Sequence, residues 1–220
     1  MPTDVITASH DGQYYDPPNA VYATIHDNAN AGTALSDVAG NYIDHYLSAG
    51  NYHIARAGFI FDLTGLPSGN VVSAAKVILY ATAAGTWDGA QTAEIRNYGN
   101  ARPSNPAVGA DWNDALDSGS SGGEIAQPPA WAVGDNDIDL NATGIGWVQA
   151  AMGGMCRLMF RIGLDADDTP PTGLTQCLFK GVGWGTAAQR PRLSITHDAP
   201  PSATAGPSRA VETIINGLMR

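Results

Sequence analysis

The groups in this chain that could carry acid–base or metal chemistry are five histidines (His10, His26, His45, His53 and His197) and 21 acidic residues. No two histidines have the His-Glu-x-x-His or His-x-x-x-His spacing that presents two imidazoles to one metal from a helix face. Asp44-His45 could supply half of a hydrolytic triad, but no Gly-x-Ser-x-Gly elbow is expected to supply the nucleophile. Surface or edge histidines are the simpler reading. A carboxylate pair for glycoside hydrolysis depends on spatial separation, which spacing along the chain leaves open. Only Glu94 and Glu124 precede residue 199, and Glu124 follows a Gly/Ser run, so a Glu-based glycosidase is not expected.

Two segments, Asp135-Asn136-Asp137-Ile138-Asp139 and Asp165-Ala166-Asp167-Asp168, offer the hard oxygen ligands that calcium prefers. Neither has the glycine and closing glutamate of an EF-hand loop, so solvated turns are expected ahead of a calcium site. Cys156 and Cys177 lie in apolar surroundings without Cys-x-x-Cys spacing. They read as two buried thiols on neighbouring strands, with a disulfide the alternative.

Aromatic residues decide whether the chain could hold a glycan, because sugar faces stack on exposed rings while a few polar groups fix orientation. Trp87-Asp88, Trp112-Asn113 and Trp131 fall in loops beside polar partners, and Tyr14 and Tyr15 fall between turn signals. These five form the candidate glycan-binding set: Trp87, Trp112, Trp131, Tyr14 and Tyr15. At each position the competing expectation is a ring folded back onto the core. Trp147 reads as core, and Trp184, between two glycines, as a bulge aromatic.

The elements that would position these groups are short strands. Residues 1–50 are polar and turn-rich. From Ile54 to Leu63 the pattern changes, with Phe59, Phe61 and Leu63 alternating onto one face. Leu66-Pro67-Ser68-Gly69-Asn70 is a turn. Val71 to Thr82, Thr92 to Tyr98, Asp137 to Asn141, Cys156 to Leu164, Cys177 to Val182 and Arg192 to His197 read as strands. Ala142 to Met152 reads as a short helix closed by Gly153-Gly154. Residues 99–124 read as loop, and Ser118 to Gly123 as a mobile surface excursion. Regular short strands separated by turns imply a sandwich or barrel, with under a fifth of the residues helical.

Beyond Asp198 the composition shifts. Residues 199–207 form a Pro/Ala/Ser linker, and residues 208–220 an amphipathic helix. In it Val211, Ile214, Ile215, Leu218 and Met219 repeat at helical spacing. A helix this short is marginal alone in water, so its stripe is expected to dock, and assembly with another subunit is the role assigned to it. The domain proper is expected over residues 1–198.

Bulk properties bound the partners. The net charge is −10, only Lys76 and Lys180 are lysines, and no Lys/Arg cluster exists. Nucleic-acid binding and attraction to anionic membranes are therefore not expected. No apolar run approaches the roughly 20 residues needed to span a bilayer. The start Met-Pro-Thr-Asp-Val-Ile lacks the basic and apolar regions of a signal peptide, so synthesis in a cytoplasm is expected if Met1 is the native start.

Several segments taken in order resemble a known family. Arg56-Ala57-Gly58-Phe59-Ile60-Phe61-Asp62-Leu63 with Leu66-Pro67, then Val72-Ser73-Ala74-Ala75-Lys76-Val77-Ile78-Leu79-Tyr80, then Trp147-Val148-Gln149, then Arg190-Pro191-Arg192-Leu193-Ser194-Ile195-Thr196 are similar to successive motifs of DNRLRE-type domains. Ala8-Ser9-His10-Asp11-Gly12 resembles their opening strand, and His197 stands where an aromatic is usual. The resemblance covers roughly residues 5–198. It implies a jelly-roll antiparallel β-sandwich related to carbohydrate-binding modules, in some members with a structural calcium ion, for which Asp11 is a candidate. It implies adhesion or glycan contact and no catalytic residues.

The expectation drawn together is an all-β, non-enzymatic structural protein of a virus particle, such as a phage head decoration, fibre or tail component. It would form a homo-oligomer, join other virion proteins and contact a host-surface glycan. The alternative is a carbohydrate-binding or adhesion module of a secreted, extracellular protein.

Overall fold

A computed structural model describes residues 1–29, 31–98, 103–112, 120–126 and 130–199. The expected linker and helix, with Val211, Ile214, Ile215, Leu218 and Met219, lie outside the described residues. Strand accounts for 47% of the described residues and helix for 14%, so the expected all-β class holds.

The strands are β1 (Thr3–Thr7), β2 (His10–Tyr15), β3 (Thr33–Ser36), β4 (Gly40–Ser48), β5 (Asn51–Asp62) and β6 (Val71–Ala81) in the first part of the chain. They continue with β7 (Thr92–Asn97), β8 (Gly123–Ala126), β9 (Gly134–Asp139), β10 (Met155–Ile162), β11 (Thr175–Lys180) and β12 (Arg192–Asp198). The helices α1 (Tyr22–His26), α2 (Ala142–Ala151) and α3 (Gly163–Ala166) are short. The stretch before residue 50, expected to be mostly turns, carries four strands and α1. The loop expected over 99–124 includes a 3-10 turn at Gly109–Trp112 and the start of β8.

Every strand pair is antiparallel. The two longest strands, β5 and β6, join the layers. Ala55 pairs with both Tyr15 and Asp44, whereas Phe59 pairs with both Asp11 and Leu158. A residue has only two edges, so β4 and β10 lie end to end along one edge of β5, opposite β2. By the same logic β12 and β11 share one edge of β6, opposite β9. The result is one layer β3-β2-β5-β10-β7-β8 and another containing β1-β12-β6-β9, with β4 and β11 bridging β5 to β6. This is a jelly-roll-like antiparallel β-sandwich.

The β4–β5 hairpin turns on Ala49 (φ 49°) and Gly50 (φ 79°). Positive φ at both central residues is the twist-matched geometry of a two-residue hairpin. Helix α2 starts where the Asn141 side chain accepts hydrogen bonds from the amides of Thr143 and Gly144, capping otherwise orphaned donors. It stops near Gly153, whose φ is +77°.

The main core lies between the layers. Phe59, Phe61 and Leu63 all point into it, as their alternation requires. Trp131 packs between Phe160 and Phe179, at 5.8 and 6.4 Å between ring centroids. A second, smaller core covers the opposite face of β2, β5 and β10, and contains Tyr14, Tyr22, Ile54, Tyr98, Trp112 and Met159. Two facing glycines make room for it. A Cβ on Gly12 would meet the Tyr14 ring, and one on its cross-strand partner Gly58 would meet the Tyr98 ring. Cys156 and Cys177 are free, buried thiols, as expected, but not on neighbouring strands: β10 pairs with β5 and β7, and β11 with β4 and β6.

Candidate functional site

Adjacent strand residues point to opposite faces, and Tyr14 and Tyr15 show the consequence. Tyr14 is 0% exposed in the second core, where its hydroxyl donates to Asp111 at 3.2 Å. Tyr15 points the other way, half-buried, into an open cleft of about 320 Å³. That volume falls at the lower end of the roughly 300–1,000 Å³ range of small-molecule sites.

The cleft is made by strand register. Tyr15 on β2, Ala55 on β5, Asp44 on β4 and Gln176 on β11 are successive partners in one cross-strand row, so their side chains share one face. Ala55 stands between Tyr15 and Asp44 in that row, and Ile54 and His53 beside it line the cleft. Tyr42, Asp44 and Tyr46 alternate along β4 onto that same face. The Tyr15 and Tyr42 rings lie 6.5 Å apart at 31°, and Tyr46 stacks on His53 at 4.2 Å and 6°. Pro17 and Pro18 close one wall.

The electrostatics suit neutral hydroxylated ligands. Burial, with Asp44, Tyr15 and Tyr46 nearby, pushes the Tyr42 hydroxyl up to about 12. Burial likewise raises Tyr46. Both hydroxyls therefore remain protonated donors. Burial pushes Asp44 up to about 7, against hydrogen bonds from Gln176 and the Ala55 amide. Near neutral pH that carboxyl can donate or accept. Asp16, the other carboxylate here, is committed to its own loop: it accepts from Asn28 Nδ2 at 2.7 Å and from the Gly32 amide.

The other aromatic candidates are not in the cleft. Trp112 and Trp131 are 0% exposed, so the glycan-contact expectation at these two and at Tyr14 is corrected: each ring is enclosed by a core that needs its area. Trp87 is half-buried against the main core, away from the cleft. Trp184 has the Lys180 ammonium 3.1 Å from its ring centre, which occupies that face. Of the five, Tyr15 alone lines the cleft; Tyr42 and Tyr46 were missed, and Asp44 was singled out only as half of a triad. Their one signal was the Tyr-x-Asp-x-Tyr alternation in β4, polar enough to pass for loop.

The acidic segments are employed otherwise. Asp135 and Asp137 lie along β9 and pair with Arg192 and Lys76. Asn136, buried between them, donates to the carbonyls of Ala132 and Gly134. Asp11 is 3% exposed and accepts from Asn41 Nδ2 (2.6 Å) and from the Val182 (2.7 Å) and Val38 (3.2 Å) amides, tying β2 to the ends of two other strands. Burial raises it to about 6.

Asp165 is a fully enclosed charge. Arg56 Nε and Nη2 donate to its two carboxylate oxygens at 2.8 and 2.6 Å, and Arg161 Nε lies 3.7 Å away. The Arg56 guanidinium also stacks 3.9 Å over Trp112 and donates to the Trp112 carbonyl. This network binds β5, β10, α3 and the 109–112 turn beneath the second core. On its margin His26, Asp27 and Asp168 converge.

Ser121 has a Gly-x-Ser-x-Gly spacing, from Gly119 to Gly123. Strand β8, not a helix, follows it, and its hydroxyl donates to the Gly123 carbonyl at 3.1 Å. The end of the expected mobile excursion is in fact packed: Gly122 underlies the Trp147 ring, and Gly123 begins β8.

No family model matches the chain, and no curated protein matches it. Among the described residues, no helix is long and apolar enough to cross a membrane.

Proposed function

We propose that the protein is a non-enzymatic structural and adhesive module, of the kind a virus particle carries as a head decoration, fibre or tail component, and that it contacts a neutral saccharide in the cleft beside Tyr15. The observation that carries the saccharide reading is the cross-strand row. It sets two tilted tyrosine rings around a trough with a buried carboxyl at its side. Flat rings supply the stacking surface and the Asp44 carboxyl with two tyrosine hydroxyls supplies orientation. Among the described residues no Lys or Arg lines the trough, and the Asp16 and Asp44 carboxyls do, so anionic sugars are disfavoured.

Binding is favoured over hydrolysis because glycoside cleavage needs two carboxyl groups flanking the bond, and Asp16 is held by its own loop. The assembly half of the reading rests on the helical spacing of Val211, Ile214, Ile215, Leu218 and Met219 in the sequence, a pattern that would join this chain to copies of itself or to other particle proteins. A carbohydrate-binding module of a secreted protein would use the same cleft. It differs in needing no stripe-mediated assembly.

A glycan array probed with the full chain, followed by product analysis on each bound glycan, tests the proposal. Retention of neutral glycans without cleavage is expected. Retention of anionic glycans only, or release of cleaved products, would overturn it.

A further inference from the structure

His26 ends α1 with its side chain 6% exposed. Its Nε2 lies 2.9 Å from the backbone carbonyl oxygen of Asp165. A carbonyl only accepts, so Nε2 must carry a proton and donate it. The other nitrogen, Nδ1, faces two carboxylate oxygens, Asp27 Oδ1 at 2.6 Å and Asp168 Oδ1 at 3.1 Å. In the neutral ring this sets three lone pairs against one another. Such a cluster needs a cation at its centre, either a proton on Nδ1 or a metal ion. One N–H can align with only one of the two carboxylates, whereas a metal ion engages all three groups and cancels both carboxylate charges.

We propose that His26 Nδ1, Asp27 and Asp168 form a binding site for a divalent transition-metal ion of the zinc class. A buried imidazole whose far nitrogen donates to a backbone carbonyl has the tautomer and fixed orientation of a metal-ligating histidine. The Asp165 carbonyl also accepts from Arg161 Nη2 at 2.9 Å, so the group that orients the ring is itself held in place. One nitrogen and two carboxylate oxygens suit zinc or manganese better than calcium, which takes six to eight oxygens. The aspartate side chains are 60% and 67% exposed, so they are free to open and water can complete the coordination. Ligand bonds of about 2.0–2.2 Å at tetrahedral angles set ligand atoms about 3.4 Å apart, so exposed Asp27 must rotate to widen the 2.6 Å contact. The ion would tie the end of α1 to the second residue after α3, clamping the segment that begins at the proline wall of the cleft to the Arg56–Asp165 network. The site does not depend on the saccharide reading.

The test is calorimetric titration of tag-free full chain with zinc chloride at pH 7.5, alongside Asp168→Asn and Asp27→Asn/Asp168→Asn. Long-range ¹H–¹⁵N spectra of the imidazoles report which nitrogen is engaged. One equivalent of zinc is expected with micromolar affinity, with the Nδ1 resonance of His26 shifting. Asp168→Asn should weaken binding at least tenfold, and the double variant should remove it. Both aspartates are exposed, and an unchanged near-ultraviolet circular dichroism spectrum would establish that the variants fold. No saturable binding up to about 1 mM zinc, full binding by the folded double variant, or a His26 Nδ1 that keeps its proton in excess zinc would each overturn the proposal.

Discussion

Arg56 and Asp165 form a two-point ion pair in which both side chains are 0% exposed, one on the long central strand and the other in α3, which follows β10. Burial alone would raise Asp165, but Arg56 and Arg161 overcome it and hold the carboxyl below the ordinary carboxylate range. Removing one member leaves charge buried without compensation, which costs about 3–5 kcal/mol. Asp165→Asn should therefore lower the unfolding free energy by that amount in urea titrations. A loss under about 1 kcal/mol would mean the pair does not hold the second core together.

Asp44 and His45 are neighbours with opposed pH effects. Burial raises Asp44 to about 7, so its contribution to stability is present in full below the unfolded carboxylate value and is lost as pH rises through 7. Burial lowers His45 to about 4, so its contribution is present above the unfolded imidazole value and is lost as pH falls through 4. Within pH 4–7 the two oppose each other. Asp44→Asn removes one of them. The variant's stability relative to wild type should climb across pH 4–7 by a few kcal/mol, with a slope of at most about 1.4 kcal/mol per pH unit. A difference that stays flat with pH would refute the assignment.

Alanine is a better helix former than glycine by about 1 kcal/mol, yet Gly144→Ala in α2 should destabilise. A Cβ there would stand 2.2 Å from the Gly122 carbonyl oxygen, a backbone atom that cannot rotate aside. Overpacking costs about 1–3 kcal/mol or more, so the net loss should be about 1–2 kcal/mol and the melting temperature should drop. An unchanged or higher melting temperature would show that α2 is not seated on the residue before β8.

Much of the fold was legible because buried strands repeat apolar residues at period two. Phe59-x-Phe61-x-Leu63 and Leu158-x-Phe160-x-Ile162 point into the core as their spacing requires. The strands before residue 50 were not legible, because β4 alternates tyrosine and aspartate on one face with isoleucine and histidine on the other. The cleft is a matter of register: positions 15, 44 and 55 meet only once β2, β5 and β4 pair, and no local pattern encodes that. The loop tryptophans misled for the opposite reason. Polar neighbours in sequence did not prevent Trp112 and Trp131 from burying their rings completely.

The cleft reading meets its most direct test in the affinity of the chain for a neutral array-selected glycan, compared among wild type, Tyr42→Ala, Tyr15→Ala and Trp131→Phe. Losing a stacked ring should cost about 1–1.5 kcal/mol or more of binding, close to tenfold or greater in Kd for each tyrosine variant. Trp131→Phe, altered in the main core, should bind as wild type does. Tyrosine variants that bind unchanged while Trp131→Phe loses affinity would contradict the account and move the ligand away from this cleft.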